Sequence, residues 1–300
     1  MFDNRTSVYA DGDQPVKPIS FHPSSLDYNC VMSTPPAPLP RTAAEEIDAL
    51  SDPDFMTSLA RGLAVLRAFS DAPGAQTIAQ LSQRTGIPRA AVRRCLHTLR
   101  QLGYVDAELN NFSLRPKVLA LGYSYLSSTP LTMSAQPCLD GLSRQLGESS
   151  SLAVLEDDQV LYVARASASR VMSVSLGAGS RLPAYCTSLG RVLLAHLPQP
   201  GLDAYLARTE LAPRTEHTIT DGDALRAVLA QVREQGYALN NEELELGLRS
   251  IAVPVRGVSG RVVAALNVGA QAVRVAPERM VDEFLPVLRR SAQELSMLLA

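Results

Sequence analysis

The fold is decided by residues 77–103, which read TIAQLSQRTGIPRAAVRRCLHTLRQLG. Thr77 is expected to begin a short helix with Leu81 on its inward face, and Gly86 to end it, because glycine tolerates the positive φ of a sharp turn. Pro88 is expected at the first position of a second helix, where its missing N–H costs nothing. Two short helices around a glycine-containing turn predict a helix-turn-helix motif.

The second of these helices has two chemically different faces. Apolar residues at three-four spacing are expected to face inward: Val92, Cys95, Leu96, Leu99 and Leu102. The opposite face then carries Ala90, Arg93, Arg94, His97 and Gln101. Gly103 is expected to end the helix.

A helix and a hairpin flank this motif. The preceding helix is predicted from one apolar stripe: Leu59, Leu63, Leu66 and Phe69. Residues 104–107 and 112–114 read as strands around residues 108–111, where Asn110 and Asn111 tolerate the left-handed conformation. Residues 54–115 are therefore predicted to form a winged helix-turn-helix domain.

Charge in this region favours a polyanionic partner. No acidic residue lies between Asp71 and Asp106, and residues 55–128 carry a net charge of +6 within a chain of net charge −2. Arginine can displace phosphate counterions and can bond guanine edges in the major groove. The residues predicted to contact double-stranded DNA are Arg84, Arg89, Ala90, Arg93, Arg94, His97 and Arg100. A solvated arginine face is the alternative, and a lone histidine such as His97 is more often a neutral surface residue.

Composition favours a folded protein without a zinc site, a disulfide scaffold or a membrane-spanning segment. The 300 residues are 46% hydrophobic and 19% charged, which is enough apolar material for two cores. The four cysteines form no C-x-x-C pair, so neither a zinc framework nor a disulfide scaffold is indicated, and no cofactor is predicted. No signal-like or membrane-spanning apolar run is present, which favours a cytoplasmic protein.

The chain divides into four segments. Residues 1–53 contain eight of the 20 prolines and are predicted to be a flexible leader, although translation beginning at Met32 is an alternative. Residues 116–130 predict a linker helix, apolar enough that it must pack on something, and a second copy of the chain is the expected partner. Residues 131–300 are predicted to form an effector-binding domain.

The C-terminal segment mixes strands and helices. Strands are expected at residues 151–155, 160–165, 172–176, 251–255 and 262–268, and helices from Pro130 to Gly147 and at residues 187–197, 224–235 and 277–299. Hairpins with helices outside the strand runs predict an α+β fold.

Three stretches resemble the IclR family of bacterial transcription regulators: residues 58–66, 86–94 and 243–255. Within that family, residues 87–96, 125–131 and 182–188 resemble the branch that regulates the β-ketoadipate pathway of protocatechuate catabolism. The resemblance implies a homodimer or tetramer on a palindromic operator and a GAF-like antiparallel sheet domain that binds a small carboxylate. It also favours activation of catabolic genes, with RNA polymerase as a further partner.

The resemblance places the effector pocket at Ser188, Leu189, Asn240 and Ser250, beside Cys186 and Thr187. This chain departs at four positions from relatives that bind very small oxoacids, which have Gly-Ala, an acid and a cysteine there. The N–H groups that open a helix at residues 187–190 form an anion site independently of the resemblance. A pocket without its own acid should accept a carboxylate, and Arg165 and Arg170 are candidate partners for it.

β-Ketoadipate is the expected effector. Protocatechuate and 4-hydroxybenzoate are the alternative effectors, and a repressor that senses another small carboxylate is the alternative role for the protein.

An enzyme is not predicted, because Ser259 lacks the G-x-S-x-G spacing and the histidines share no metal-ligand spacing. Glu242, Glu243 and Glu245 are expected to lie in a solvated loop rather than to perform acid–base catalysis. An architectural DNA-binding protein without a ligand is the third alternative, which the long C-terminal domain disfavours.

Overall fold

The computed structural model describes residues 42–50, 52–70, 74–128, 130–168 and 176–299. Its N-terminal part contains helices α1 (Ala43–Asp48), α2 (Thr57–Arg67), α3 (Ile78–Thr85) and α4 (Arg89–Gln101) and strands β1 (Gln76–Thr77), β2 (Val105–Glu108) and β3 (Asn111–Leu114). The strands form a sheet in the order β1-β3-β2. The predicted winged helix-turn-helix is confirmed, with β1 as a third strand that the sequence pattern did not indicate.

Local chemistry defines the helix-turn-helix. Thr77 caps α3 in a reciprocal capping box with Gln80, and Gly86 ends the helix at a φ of 71°. Leu81 and Leu96 are fully buried between the helices. Pro88 precedes α4 as its N-cap residue rather than standing first inside it.

Three expectations for this part of the chain were wrong in detail. Leu59, Leu63 and Leu102 are 58%, 49% and 52% exposed, because α2 and α4 pack through Val65, Val92 and other residues on adjacent faces. The wing turn places Leu109, not an asparagine, at a positive φ of 55°. The predicted leader also ends earlier than residue 53, because α1 buries Ile47 and Arg61 of α2 bonds Asp48 at 3.1 Å.

The linker is helical, as predicted. A 3₁₀ turn at Pro116–Val118 leads into α5 (Leu119–Ser128), and α6 (Pro130–Leu146) follows. Along α5, Leu119, Leu121, Tyr123 and Tyr125 are all at least 47% exposed. Exposed apolar side chains at this density are typical of an interaction surface.

The C-terminal part is built on an antiparallel sheet of six strands in the order β6-β5-β4-β9-β8-β7. The strands are β4 (Ser149–Glu156), β5 (Gln159–Ala166), β6 (Arg181–Pro183), β7 (Ala238–Asn241), β8 (Leu248–Arg256) and β9 (Val262–Gln271). The helices are α7 (Ser188–Ala195), α8 (Gln199–Arg208), α9 (Gly222–Gln235), α10 (Pro277–Arg279) and α11 (Leu285–Leu298), with a π turn at Met280–Phe284. The predicted α+β class is confirmed.

Helices cover both faces of this sheet. One core joins the sheet to α6 and α11, and the other joins it to α7 and α9. The pattern missed β6, β7 and α8, which are short or only weakly amphipathic. Most of the strand expected at residues 172–176 lies outside the described residues. Among the described residues, no helix combines the length and apolar character needed to cross a bilayer.

Candidate DNA-binding surface and ligand cavity

The solvent-facing side of α4 carries the predicted DNA contacts. The exposed residues are Arg89, Ala90, Arg93, Arg94, His97 and Arg100. For Arg89, Arg93 and Arg100 the structure records no side-chain hydrogen bond or ion pair within the described part of the chain. Arg84 differs, because its Nη1 donates to Gln76 Oε1 at 2.7 Å. A helix face with free guanidinium groups can meet both phosphates and base edges.

The C-terminal part encloses a cavity of about 250 Å³ against the face of the sheet that α7 covers. Strand register builds its floor from two rungs of residues that share one face. The first rung is Ser149, Gly269, Ser250 and Asn240. In the second, Arg165 and Asn267 line the cavity, and Ser151 pairs with both of them. Apolar walls are contributed by Leu176, Leu182, Leu244 and Leu248. Apolar walls around a few converging polar groups are typical of a small-molecule site.

The start of α7 forms one wall of this cavity. Thr187 caps the helix, and its Oγ1 accepts a hydrogen bond from the Gly190 N–H at 3.1 Å. The hydroxyls of Ser188 and Ser250 lie 2.8 Å apart, and Asn240 Nδ2 donates to the Cys186 carbonyl at 3.1 Å. The structure thus brings together residues that lie more than 50 positions apart in the chain.

Six of the seven residues predicted to bind the effector line the cavity: Cys186, Thr187, Ser188, Asn240, Ser250 and Arg165. Leu189 does not line it, because its side chain points into the apolar core beneath α7, where it is fully buried. Arg170 lies outside the described residues. Burial raises the pKa of the Cys186 thiol to about 11, so this side chain is neutral at physiological pH.

Arg165 is the cation among the described residues that line the cavity. Its Nη1 donates to Ser151 Oγ at 3.1 Å, whereas its Nε is buried without a partner. Burial lowers the pKa of this guanidinium and raises that of the neighbouring Tyr162 hydroxyl to about 12. The ordinary pKa of a guanidinium is so high that the group stays charged. The cavity thus presents a positive charge with an unsatisfied N–H donor.

Sequence reasoning missed Tyr162, Asn267 and Gly269, which also line the cavity. Asn267 is 8% exposed, and its Oδ1 has no hydrogen-bond partner. The period-two alternation of β9 could have indicated Asn267. This polar residue interrupts an otherwise apolar strand and lies on the same face as Ala265 and Gly269.

Two expectations about acidic residues were wrong. Glu245 lines the cavity, which therefore contains a carboxylate of its own. Glu243 does not lie in a solvated loop: it is 7% exposed and bonds both terminal nitrogens of Arg191 at 2.6 and 2.5 Å. Among the described residues, no three His, Cys, Asp or Glu side chains cluster closely enough to hold a metal ion.

A winged helix-turn-helix with free arginines, joined to a domain that encloses a cavity with a few polar groups between apolar walls, defines the class of ligand-responsive DNA-binding regulators. Residues 58–108 match the IclR helix-turn-helix domain, and residues 123–297 match the bacterial transcriptional regulator IclR C-terminal domain. The chain therefore belongs to the IclR family of bacterial transcription regulators. Members of this family are DNA-binding regulators and not enzymes, in agreement with the prediction.

The chain is similar to individual members of the family over most of its length. The chain is 53% identical over 260 residues to the Pca regulon regulatory protein of Pseudomonas putida, covering 86% of this chain and 89% of the relative. It is 40% identical to the p-hydroxybenzoate hydroxylase transcriptional activator of Acinetobacter baylyi, covering 81% and 91%. A solved structure of an IclR homolog complexed with 4-hydroxybenzoate, from Microbacterium hydrocarbonoxydans, is 28% identical, covers 81% of this chain and 98% of that chain, and has a TM-score of 0.70.

Proposed function

We propose that this protein activates genes of aromatic-acid catabolism in the cytoplasm and that β-ketoadipate, bound in the C-terminal cavity, controls it. The similarity to the Pca regulon regulatory protein supports aromatic-acid catabolism as the regulated pathway. The similarity to a transcriptional activator supports activation rather than repression. Repression is the alternative direction. An activator would also contact RNA polymerase.

The half-buried guanidinium of Arg165, whose Nε is buried without a partner, is the observation that carries the choice of an acid. A half-buried arginine with such an unpartnered Nε favours an anion, because a carboxylate supplies the missing acceptor. The first N–H groups of α7 and the hydroxyls of Ser188 and Ser250 offer a second place for a carboxylate. Two anion-binding places suit a diacid such as β-ketoadipate.

A hydroxybenzoate is the second candidate, and Asn267 favours it. The unpartnered Oδ1 of Asn267 accepts a hydrogen bond, which the phenolic hydroxyl of protocatechuate or 4-hydroxybenzoate can donate. The ketone of β-ketoadipate can only accept, so it would bond the Nδ2 of the same amide. The structural similarity to the IclR homolog complexed with 4-hydroxybenzoate supports this candidate.

On the DNA side, two copies of the chain would hold their α4 helices in successive major grooves of a palindromic operator, with the seven residues predicted above as contacts. An apolar groove supports pairing of two copies. It is lined by Met56, Leu59, Leu63, Leu102 and Leu121 from α2, α4 and α5 and their flanks, and these five side chains are at least 49% exposed. A larger assembly, such as a tetramer, would be built from such dimers.

Calorimetric titration of the full chain with β-ketoadipate, protocatechuate and 4-hydroxybenzoate tests the effector. We expect one of these acids to bind, and Arg165→Met to weaken its binding by about 10- to 100-fold, since a hydrogen bond to a charged group contributes about 1.5–3 kcal/mol. The control is Arg144→Met, which removes an exposed charge from α6 and should leave the affinity unchanged. Equal affinities of the wild type and Arg165→Met would contradict this assignment.

Footprinting on the DNA upstream of neighbouring genes tests the regulatory role. We expect protection of a palindromic site and increased transcription of the adjacent gene in the presence of the bound acid. A decrease in transcription without the acid would support activation, whereas an increase would identify a repressor.

A further inference from the structure

Two charged residues outside the cavity lining connect two of its walls. Arg191 lies on α7 and Glu243 lies in the loop that follows β7, and both are buried. The terminal nitrogens of Arg191 donate to the two carboxylate oxygens of Glu243, and its Nε donates to the Tyr185 carbonyl at 3.1 Å. One guanidinium therefore ties the segment before α7 to the loop at residues 242–247.

That loop forms part of the cavity. Leu244 and Glu245, which directly follow Glu243, line it. Two hydroxyls also hold the loop backbone, since Thr215 Oγ1 donates to the Glu242 carbonyl at 2.7 Å and Thr218 Oγ1 to the Glu243 carbonyl at 2.6 Å. On the other side of the ion pair, Ser188 begins α7 and lines the cavity.

Stability alone does not account for an ion pair in this place. Desolvation of two charges offsets much of their attraction, and well-packed apolar residues of similar volume are often as stable or more stable. The pair does supply a fixed distance and orientation, because a bidentate arginine–carboxylate bond is planar and directional.

We propose that Arg191 and Glu243 are positioning residues that hold the 242–247 loop at a fixed distance from the start of α7 and so set the shape of the cavity for its acid. The proposal rests on the proposed function for the chemistry of the ligand. The order of the loop, in contrast, is a property of the protein without ligand.

The test is the double variant Arg191→Met/Glu243→Leu in the full-length chain. We expect a folded protein with a Tm no lower than that of the wild type, at least tenfold faster amide hydrogen exchange in residues 242–247, and at least tenfold weaker binding of the acid that the wild type prefers. Unchanged loop exchange, or wild-type affinity, would overturn the proposal. If the wild type bound none of the three acids, the effector assignment would fail, while loop exchange would still decide the role of the pair.

Two further variants keep the test decisive. Thr218→Val removes the hydroxyl bond to the Glu243 carbonyl without touching the charges, and we expect it to shift loop exchange and affinity in the same direction by a smaller factor, even if the double variant does not fold. Asp203→Asn/Arg226→Gln removes a partly exposed ion pair between α8 and α9 and should leave both measurements unchanged. A similar response from this control would overturn the proposal.

Discussion

At the scale of single residues, Gly190 shows how closely the backbone packs beside the cavity. It lies inside α7, and a Cβ at this position would overlap the backbone of Ala184. Because Ala184 is itself fully buried, neither segment has free space to move into. The helix can cover the cavity at this distance only with glycine at this position.

Gly190→Ala is therefore expected to destabilise the protein by at least about 1–3 kcal/mol, the usual cost of overpacking a core. Urea unfolding of the full chain measures the change. Gly141→Ala is the matched control: Gly141 lies in α6 with nothing near an added Cβ, so this variant should gain about 0.5–1 kcal/mol from helix propensity. Equal stability of the two variants would contradict the close approach.

His196 makes stability depend on pH. Burial lowers its pKa from 6.5, and Arg256 and Arg233 act in the same direction, while its Nδ1 bonds the Val192 carbonyl at 2.8 Å. In the unfolded chain the ring takes up a proton at higher pH than in the folded protein. Stability is therefore lost as the pH falls through the unfolded pKa.

We expect His196→Gln to reduce the decline in unfolding free energy between about pH 7 and pH 5, the range in which an unfolded histidine gains its proton. Urea midpoints of both proteins across this range measure the effect. Parallel curves for the wild type and the variant would show that His196 does not contribute to the pH dependence.

At the scale of elements, α4 exposes a basic face while its opposite face is packed into the N-terminal core. Val92 and Leu96 anchor the helix in the N-terminal core, while Arg93 projects into solvent without a partner among the described residues. A base-reading side chain needs both conditions, since its geometry must be fixed by the backbone and its donors must be free.

Arg93→Ala is expected to weaken specific operator binding by about 1–3 kcal/mol if Arg93 bonds a base, or to lower the salt slope by about 1 if it bonds a phosphate. Operator titrations at several salt concentrations distinguish the two results. Arg144→Ala, on α6, serves as the control for removal of one exposed arginine. No change in either quantity would remove Arg93 from the interface.

At the scale of the whole molecule, the apolar groove of Met56, Leu59, Leu63, Leu102 and Leu121 has no covering element among the described residues. A patch of this kind on an isolated chain costs free energy in water, so self-association through it is favoured. Pairing there would set the spacing between two DNA-reading helices.

Leu63→Glu should therefore shift the full-length protein toward the monomer, because it places a charge in the apolar groove. Analytical ultracentrifugation over a concentration series measures the change. Val258→Glu replaces an apolar residue that is 78% exposed in the turn after β8, and it should leave the mass unchanged. A wild-type mass for Leu63→Glu would place the contact elsewhere.

The helix-turn-helix could be predicted from sequence because its determinants are local. The capping box at Thr77, the left-handed Gly86 and the three-four spacing of Val92, Leu96 and Leu99 act within a few residues of one another. The position of the effector pocket was transferred from the family resemblance, supported by the N–H groups that begin α7. The basic face of α4 likewise follows from helical periodicity alone.

Tertiary structure alone decided which apolar faces are buried and what the cavity contains. Leu59 and Leu63 lie on a helical stripe, yet they are exposed because α3 and α4 pack against a neighbouring face. Asn267 and Arg165 share a rung of the sheet only through the pairing of β4 with both β5 and β9. Arg191 bonds Glu243 across 52 residues. Periodicity reports which side of an element is apolar, whereas strand register and helix packing over long separations determine what that side meets.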